Sequence, residues 1–322
     1  MKTFRHSIAV IAFYAMALPN PTYAQDAPTI LTLSTGSELA QWTVSSPKPV
    51  HKTPVIYLHG GPGMYTTATA IERGAVFRDA GFNTIYFDQA GGGKSKQIAA
   101  KDYTVERAVA DLEALRVTLG HDKIILWGSS YGASLGTVYA SRYPEHVAGI
   151  ILTSPGSYPG TKAAHNYKIT NRDKVKLGKD LSKAAGKIDR EGSAAEATLT
   201  QSTAGALFDE VVNADLMGGM VCKGSNIKPP LPGTGGNLYA NRLIGKDLDK
   251  IRFKPKGTLK IPALILRGSC DFVAESSAQS FAALFEATVT PIANTGHGMH
   301  ENRQAVEAAF ATFALGPLSK VE

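Results

Sequence analysis

Gly128-Ser129-Ser130-Tyr131-Gly132 sets a hydroxyl between two glycines at the end of an apolar, partly β-branched run, Ile124–Trp127. A segment of helical character follows at once. Gly-x-Ser-x-Gly in that setting is the form of a nucleophile elbow, a sharp strand-to-helix turn that exposes one serine hydroxyl above a sheet. The glycines suit a turn whose neighbouring backbones crowd it. Ser130 holds the central position and is the candidate nucleophile; Tyr131 would offer its backbone N–H to a developing oxyanion.

A serine hydroxyl is a poor nucleophile until a base takes its proton, and an imidazole base needs a carboxylate to fix its tautomer and stabilise its cation. Asp271 follows the apolar run Ala263–Leu266, and His297 follows Val289–Ile292. The chain order Ser130, Asp271, His297 is the α/β-hydrolase order, each residue after its own strand. His300 is the rival base, and Glu275 is the nearest substitute for Asp271. A second glycine-dense loop, His59-Gly60-Gly61-Pro62-Gly63, ends the strand Val55–Leu58. Its backbone can approach a ligand closely, and Gly61 is the expected second oxyanion donor. His59 is read as ordering that turn.

Asp88–Ser95 imitates a phosphate-binding loop at Gly93-Lys94-Ser95. The motif requires glycine at position 88, where Asp88 stands, so nucleotide binding is rejected and Asp88 is expected to brace the neighbouring loops. His297 and His300 form a His-x-x-His pair without a surrounding ligand set, so no metal is expected.

Together the His-Gly-Gly-Pro-Gly loop, the Asp88–Ser95 loop, the elbow, Asp271 and Thr295-Gly296-His297 resemble the prolyl iminopeptidases, cap-bearing α/β-hydrolases of the serine peptidase S33 type. The resemblance covers roughly residues 50–155 and 260–315. It implies Ser130, Asp271 and His297 as triad, Gly61 and Tyr131 as oxyanion hole, release of N-terminal proline from peptides, and no metal or organic cofactor. The family usually carries Trp after the nucleophile, where Tyr131 stands here. Its cap holds the substrate amine with acidic residues, often in Trp-containing surroundings; both tryptophans of this chain, Trp42 and Trp127, lie outside the cap. An esterase or amide hydrolase with the same triad is the alternative, and a catalytically silent binding module is the alternative from another class.

Strand–helix alternation positions these groups. Thr29–Leu33 and Leu39–Val44 suggest an opening hairpin, and Thr84–Phe87 and Val147–Leu152 two further strands. Thr104–Leu119, the segment from the elbow to Tyr143, Ser276–Phe285 and Glu301–Phe313 have helical spacing. The expected fold is an α/β-hydrolase: a mainly parallel sheet flanked by helices, with ligands at the strands' carboxyl ends. Residues 25–154 and 259–322 would form the core, and 155–258, rich in Lys, Ala, Gly and Ser, an inserted, mostly helical cap. Its acids Asp173, Asp209, Glu210 and Asp215 are candidate partners for a substrate amine.

The 322 residues are 43% hydrophobic and 19% charged, a globular balance. The formal charge is +7, and much of the excess lies in Lys162–Lys187 and Lys246–Lys260, read as solvated helix faces with no nucleic-acid partner. Residues 1–24 read as a secretory signal peptide: Lys2 and Arg5, an apolar Ile8–Leu18 too short to span a bilayer, and small residues up to Ala24. The expected mature protein is exported, periplasmic or extracellular, without stable membrane association, and acts on a small peptide or ester. Export permits a bridge between Cys222 and Cys270, which the sequence leaves open.

Overall fold

The computed structural model describes residues 27–161, 179–191, 198–211, 220–227 and 235–321. The expected signal peptide lies outside them. Among the described residues eight strands form one sheet: β1 Thr29–Thr32, β2 Glu38–Val44, β3 Val55–Leu58, β4 Thr84–Phe87, β5 Ile124–Ser129, β6 Val147–Thr153, β7 Ala263–Gly268 and β8 Val289–Ile292. Their spatial order is β1-β2-β4-β3-β5-β6-β7-β8. The β1–β2 and β2–β4 pairs are antiparallel, as the opening hairpin requires, and every pair from β4 onward is parallel.

Central parallel strands are covered on both faces and therefore read as unbroken apolar runs. In β5 the side chains alternate between two cores: Ile124 and Leu126 join one, Ile125 and Trp127 the other. The first core is completed by α3 (Val105–Thr118), α4 (Tyr131–Arg142) and α8 (Glu275–Phe285). The second is completed by α1 (Ala68–Arg73), α2 (Ala75–Asp79) and α9 (Arg303–Leu315). Trp127 lies there against Phe77 of α2 and Phe310 of α9, at centroid distances of 5.5 and 5.2 Å.

Between β6 and β7 the chain leaves the sheet. The described part of this insertion includes α5 (Lys179–Glu191), α6 (Gln201–Val211), a π-helical turn (Ala240–Ile244) and α7 (Gly245–Lys250). Ile188, Ala204, Phe208, Leu238 and Tyr239 are buried in the same core as α3 and α4, so the insertion rests on the sheet's helical layer. Asn237 fastens it to two glycine loops: its N–H donates to the Gly63 carbonyl at 2.8 Å and its amide to the Gly91 carbonyl at 3.0 Å.

One expectation is corrected here. Helix α7 ends at Lys250, and Ile251–Pro262 runs on without helix, so the Lys246–Lys260 cations are solvated but only their first members stand on a helix. Pro255 and Pro262 remove backbone donors and push the preceding residues out of the helical region. No helix among the described residues is long and apolar enough to cross a membrane.

Candidate active site

Ser130 sits between β5 and α4 with φ 53° and ψ −117°, a conformation that non-glycine residues rarely adopt and that costs on the order of 1–3 kcal/mol. Backbone bonds hold it there. Its N–H donates to the Thr153 carbonyl at 3.1 Å, and its carbonyl accepts from Ala133 at 3.0 Å and Gly156 at 3.1 Å. A Cβ on Gly132 would lie 2.0 Å from the Leu58 carbonyl oxygen, so the turn closes only with glycine at that position. Neighbouring Ser129 is engaged elsewhere, by a side-chain hydrogen bond with half-buried Tyr57, whose pKa desolvation pushes up to about 12.

Asp271 and His297 lie in the loops that follow β7 and β8. His297 Nε2 is 2.9 Å from Ser130 Oγ, and His297 Nδ1 is 2.8 Å from Asp271 Oδ1. Asp271 Oδ1 also accepts the Val273 N–H at 2.9 Å, which fixes the carboxylate plane. Burial raises the Asp271 pKa, but His297, the Val273 N–H and Arg267 outweigh it, and the net direction is downward. The carboxylate is therefore charged where an imidazolium would form beside it. Phe272 covers the His297 ring at a centroid distance of 4.4 Å. Such a chain can draw the hydroxyl proton onto Nε2 while the carboxylate stabilises the cation. His300 is not part of it; burial first, then Arg73, lowers its pKa. Glu275 is exposed at the start of α8, where it accepts from Gln279. Among the described residues no three His, Cys, Asp or Glu side chains are grouped to hold a metal ion.

The glycine loop after β3 abuts the elbow: a Cβ on Gly60 would lie 3.0 Å from Ser130 Cβ. Gly61 takes φ +117°, a region open to glycine. Tyr131 opens α4, so its N–H belongs to the turn that has no intrahelical acceptor. His59 orders this loop. Its Nε2 accepts the Gln89 N–H at 2.9 Å, which leaves the proton on Nδ1 to donate to the Gly60 carbonyl at 3.0 Å. Burial lowers its pKa to about 4, so the ring is neutral near pH 7. Asp88 joins the two loops as expected, accepting from Thr66 N–H at 2.7 Å and Lys94 N–H at 2.9 Å, and burial raises its pKa to about 6.

Two features were not settled by the sequence. Cys222 and Cys270 are bonded, with their Cα atoms 5.2 Å apart. The bridge carries the Met220–Ile227 segment of the insertion to the residue before Asp271. Glu301, expected at the start of the last helix, lies outside it: Asn302 caps α9 through its side chain, and Glu301 turns back toward the His297 loop. With only two cysteines in the chain the partner was never in doubt; what the sequence left open was whether the two come together. Of the acids named in the insertion, Asp173, Asp215 and the Glu210 side chain lie outside the described residues. Asp209 accepts the N–H groups of Gly235 and Gly236, and its Oδ1 is buried without a hydrogen-bond partner among the described residues.

Sheet, elbow and the placement of Ser130, Asp271 and His297 define a class: residues 53–304 match the model of the alpha/beta hydrolase fold, and the chain belongs to that family. Within it the chain is distantly related to proline iminopeptidases. It is 40% identical over 100 residues to proline iminopeptidase of Neisseria meningitidis, covering 31% of each chain. The match thus spans about a third of the length of that curated relative. In fold it is similar to an esterase from Exiguobacterium antarcticum, with TM-score 0.63 and 15% identity over 89% of this chain and 99% of that one. It is also similar to proline iminopeptidase of Mycobacterium smegmatis, with TM-score 0.59 and 20% identity over 91% and 100%.

Proposed function

We propose that this protein is an exported serine hydrolase of the prolyl iminopeptidase type, releasing N-terminal proline or another small residue from peptides. The observation that carries this is the unbroken hydrogen-bonded chain from Asp271 through His297 to Ser130 Oγ. Ser130 Oγ attacks the carbonyl carbon of the first residue as its proton passes to His297 Nε2. The oxyanion forms against the N–H groups of Gly61 and Tyr131. Collapse breaks the C–N bond, with His297 returning the proton to the leaving amine, and water then hydrolyses the acyl-enzyme by the same route.

The iminopeptidase assignment is supported by the relatives, and Asp209, whose buried Oδ1 has no hydrogen-bond partner among the described residues, is the candidate carboxylate for the substrate ammonium. An ammonium desolvated without a partner would cost several kcal/mol, so an exopeptidase needs such a carboxylate. Export is supported by residues 1–24 and by the Cys222–Cys270 bridge, a feature that persists in oxidising compartments. The similarity in fold to an esterase favours a second reading, an esterase or amide hydrolase using the same three residues.

The discriminating experiment compares proline arylamide with its N-acetylated form. An aminopeptidase should lose about 10²-fold or more in kcat/KM on acetylation, because a paired charge disappears and its partner stays buried. Equal rates on both would remove the iminopeptidase reading and leave the esterase one.

A further inference from the structure

Loops that follow two neighbouring parallel strands need not hold a fixed distance from one another, yet the proposed acid and base lie one on each. The loops touch directly through backbone bonds, Cys270 N–H to the Thr295 carbonyl at 3.0 Å and Ser269 N–H to the Ile292 carbonyl at 2.9 Å. A third strand of chain lies against them. Gly298 N–H donates to the Met220 carbonyl at 2.8 Å, and a Cβ on Gly296 would lie 2.6 Å from Val221 Cα. Glycine before His297 is therefore required by the insertion's own backbone.

Glu301 closes this arrangement. One carboxylate oxygen accepts the Gly296 N–H at 3.1 Å and the other accepts the Cys222 N–H at 2.5 Å. Cys222 is in turn bonded to Cys270. The result is a ring: disulfide, Cys222 N–H, Glu301 carboxylate, Gly296 N–H and the Cys270–Thr295 backbone bond. Asp271 and His297 are each the next residue outward from it. Hydrogen bonds from N–H groups to a carboxylate are among the stronger kinds, and this carboxylate uses both oxygens on backbone.

We propose that Glu301 is a positioning residue for His297, acting with the Cys222–Cys270 bridge as a two-point clip that holds base and acid in register with Ser130. This rests on the serine hydrolase reading above and is independent of the peptidase one. A reacting group displaced by about 1 Å can lose on the order of 10²-fold in rate. In Glu301→Gln one oxygen becomes an NH2 group facing a backbone N–H, donor against donor, and the clip opens at that point.

The test uses a fluorophosphonate, which needs an activated serine but no particular acyl group. Ser130 Oγ bonds to phosphorus, fluoride leaves, and the hydroxyl proton goes to His297. Glu301→Gln should lower kinact about 10- to 100-fold while KI stays within about threefold, since the probe's binding is untouched. Cys222→Ala/Cys270→Ala opens the other point of the clip and should lower kinact in the same way; it serves also if Glu301→Gln fails to fold. Folded variants with kinact within twofold of wild type would overturn the proposal and leave the hydrolase reading standing. A wild-type protein that takes no label would overturn both.

Discussion

The two halves of the candidate site are held by different means. Ser130 is held mainly by the core: Thr153 of β6 and Ala133 of α4 bond its backbone, Gly156 adds a bond from the first residues of the insertion, and the Leu58 carbonyl closes against Gly132. Asp271 and His297 stand on loops that borrow support from elsewhere, through Met220, Cys222 and Glu301. The elbow is thus fixed mainly by contacts that come with the core, whereas the acid–base end combines core contacts with contacts to Met220 and Cys222 of the insertion. Changes around Met220 and Cys222 can therefore reach catalysis through the acid–base end while leaving the serine's own backbone bonds in place.

The largest expected effect sharpens that contrast on the acid–base side. Asp271→Asn keeps shape but removes the charge that fixes the His297 tautomer, and should cut kcat by about 10⁴-fold without unfolding the protein. Steady-state kinetics beside a thermal melt would measure both. A loss under tenfold would mean that His297 draws its orientation from Phe272 and the clip alone.

A smaller effect belongs to the elbow side and is read in stability. His59 is neutral in the fold with its pKa lowered to about 4, against an ordinary value of 6.5. The unfolded chain takes up a proton there first, so stability from this group is fully present above about pH 6.5 and is lost as pH falls toward 4. At about 1.4 kcal/mol per pH unit the interval amounts to about 3 kcal/mol. Asp88, raised to about 6, works in the opposite sense over part of the range, so the group must be isolated by substitution. Urea unfolding at pH 7 and pH 4.5 should show wild type losing more stability than His59→Gln. Parallel losses in the two proteins would show that His59 does not carry the acid sensitivity of the glycine loop.

The same division explains what could be read from the sequence. The elbow, the Gly60–Gly63 loop and the order Ser130, Asp271, His297 are local motifs at strand ends, and the strands β3 to β8 are short apolar runs with clear borders. Position 301 was included in the last helix by the amphipathic spacing of Glu301–Phe313; the helix begins after Asn302, whose side chain accepts from Ala305. The bridge was legible only as the one pairing two cysteines allow, and the Glu301 contact was illegible because it joins Cys222 to a position 79 residues away. Nothing in local spacing encodes such a pairing. The basic run after Lys250 misled for a different reason: charges with few aromatics among them suggested a solvated helix face, while Pro255 and Pro262 decided the backbone.

The central claim is that Ser130, activated by His297, is the nucleophile. Fluorophosphonate treatment followed by peptide mass mapping tests it most directly. A single adduct on Ser130 is predicted, absent in Ser130→Ala and slowed by about 10³-fold or more in His297→Ala, with Ser129→Ala labelled like wild type. An adduct on Ser129, or undiminished labelling of His297→Ala, would contradict it.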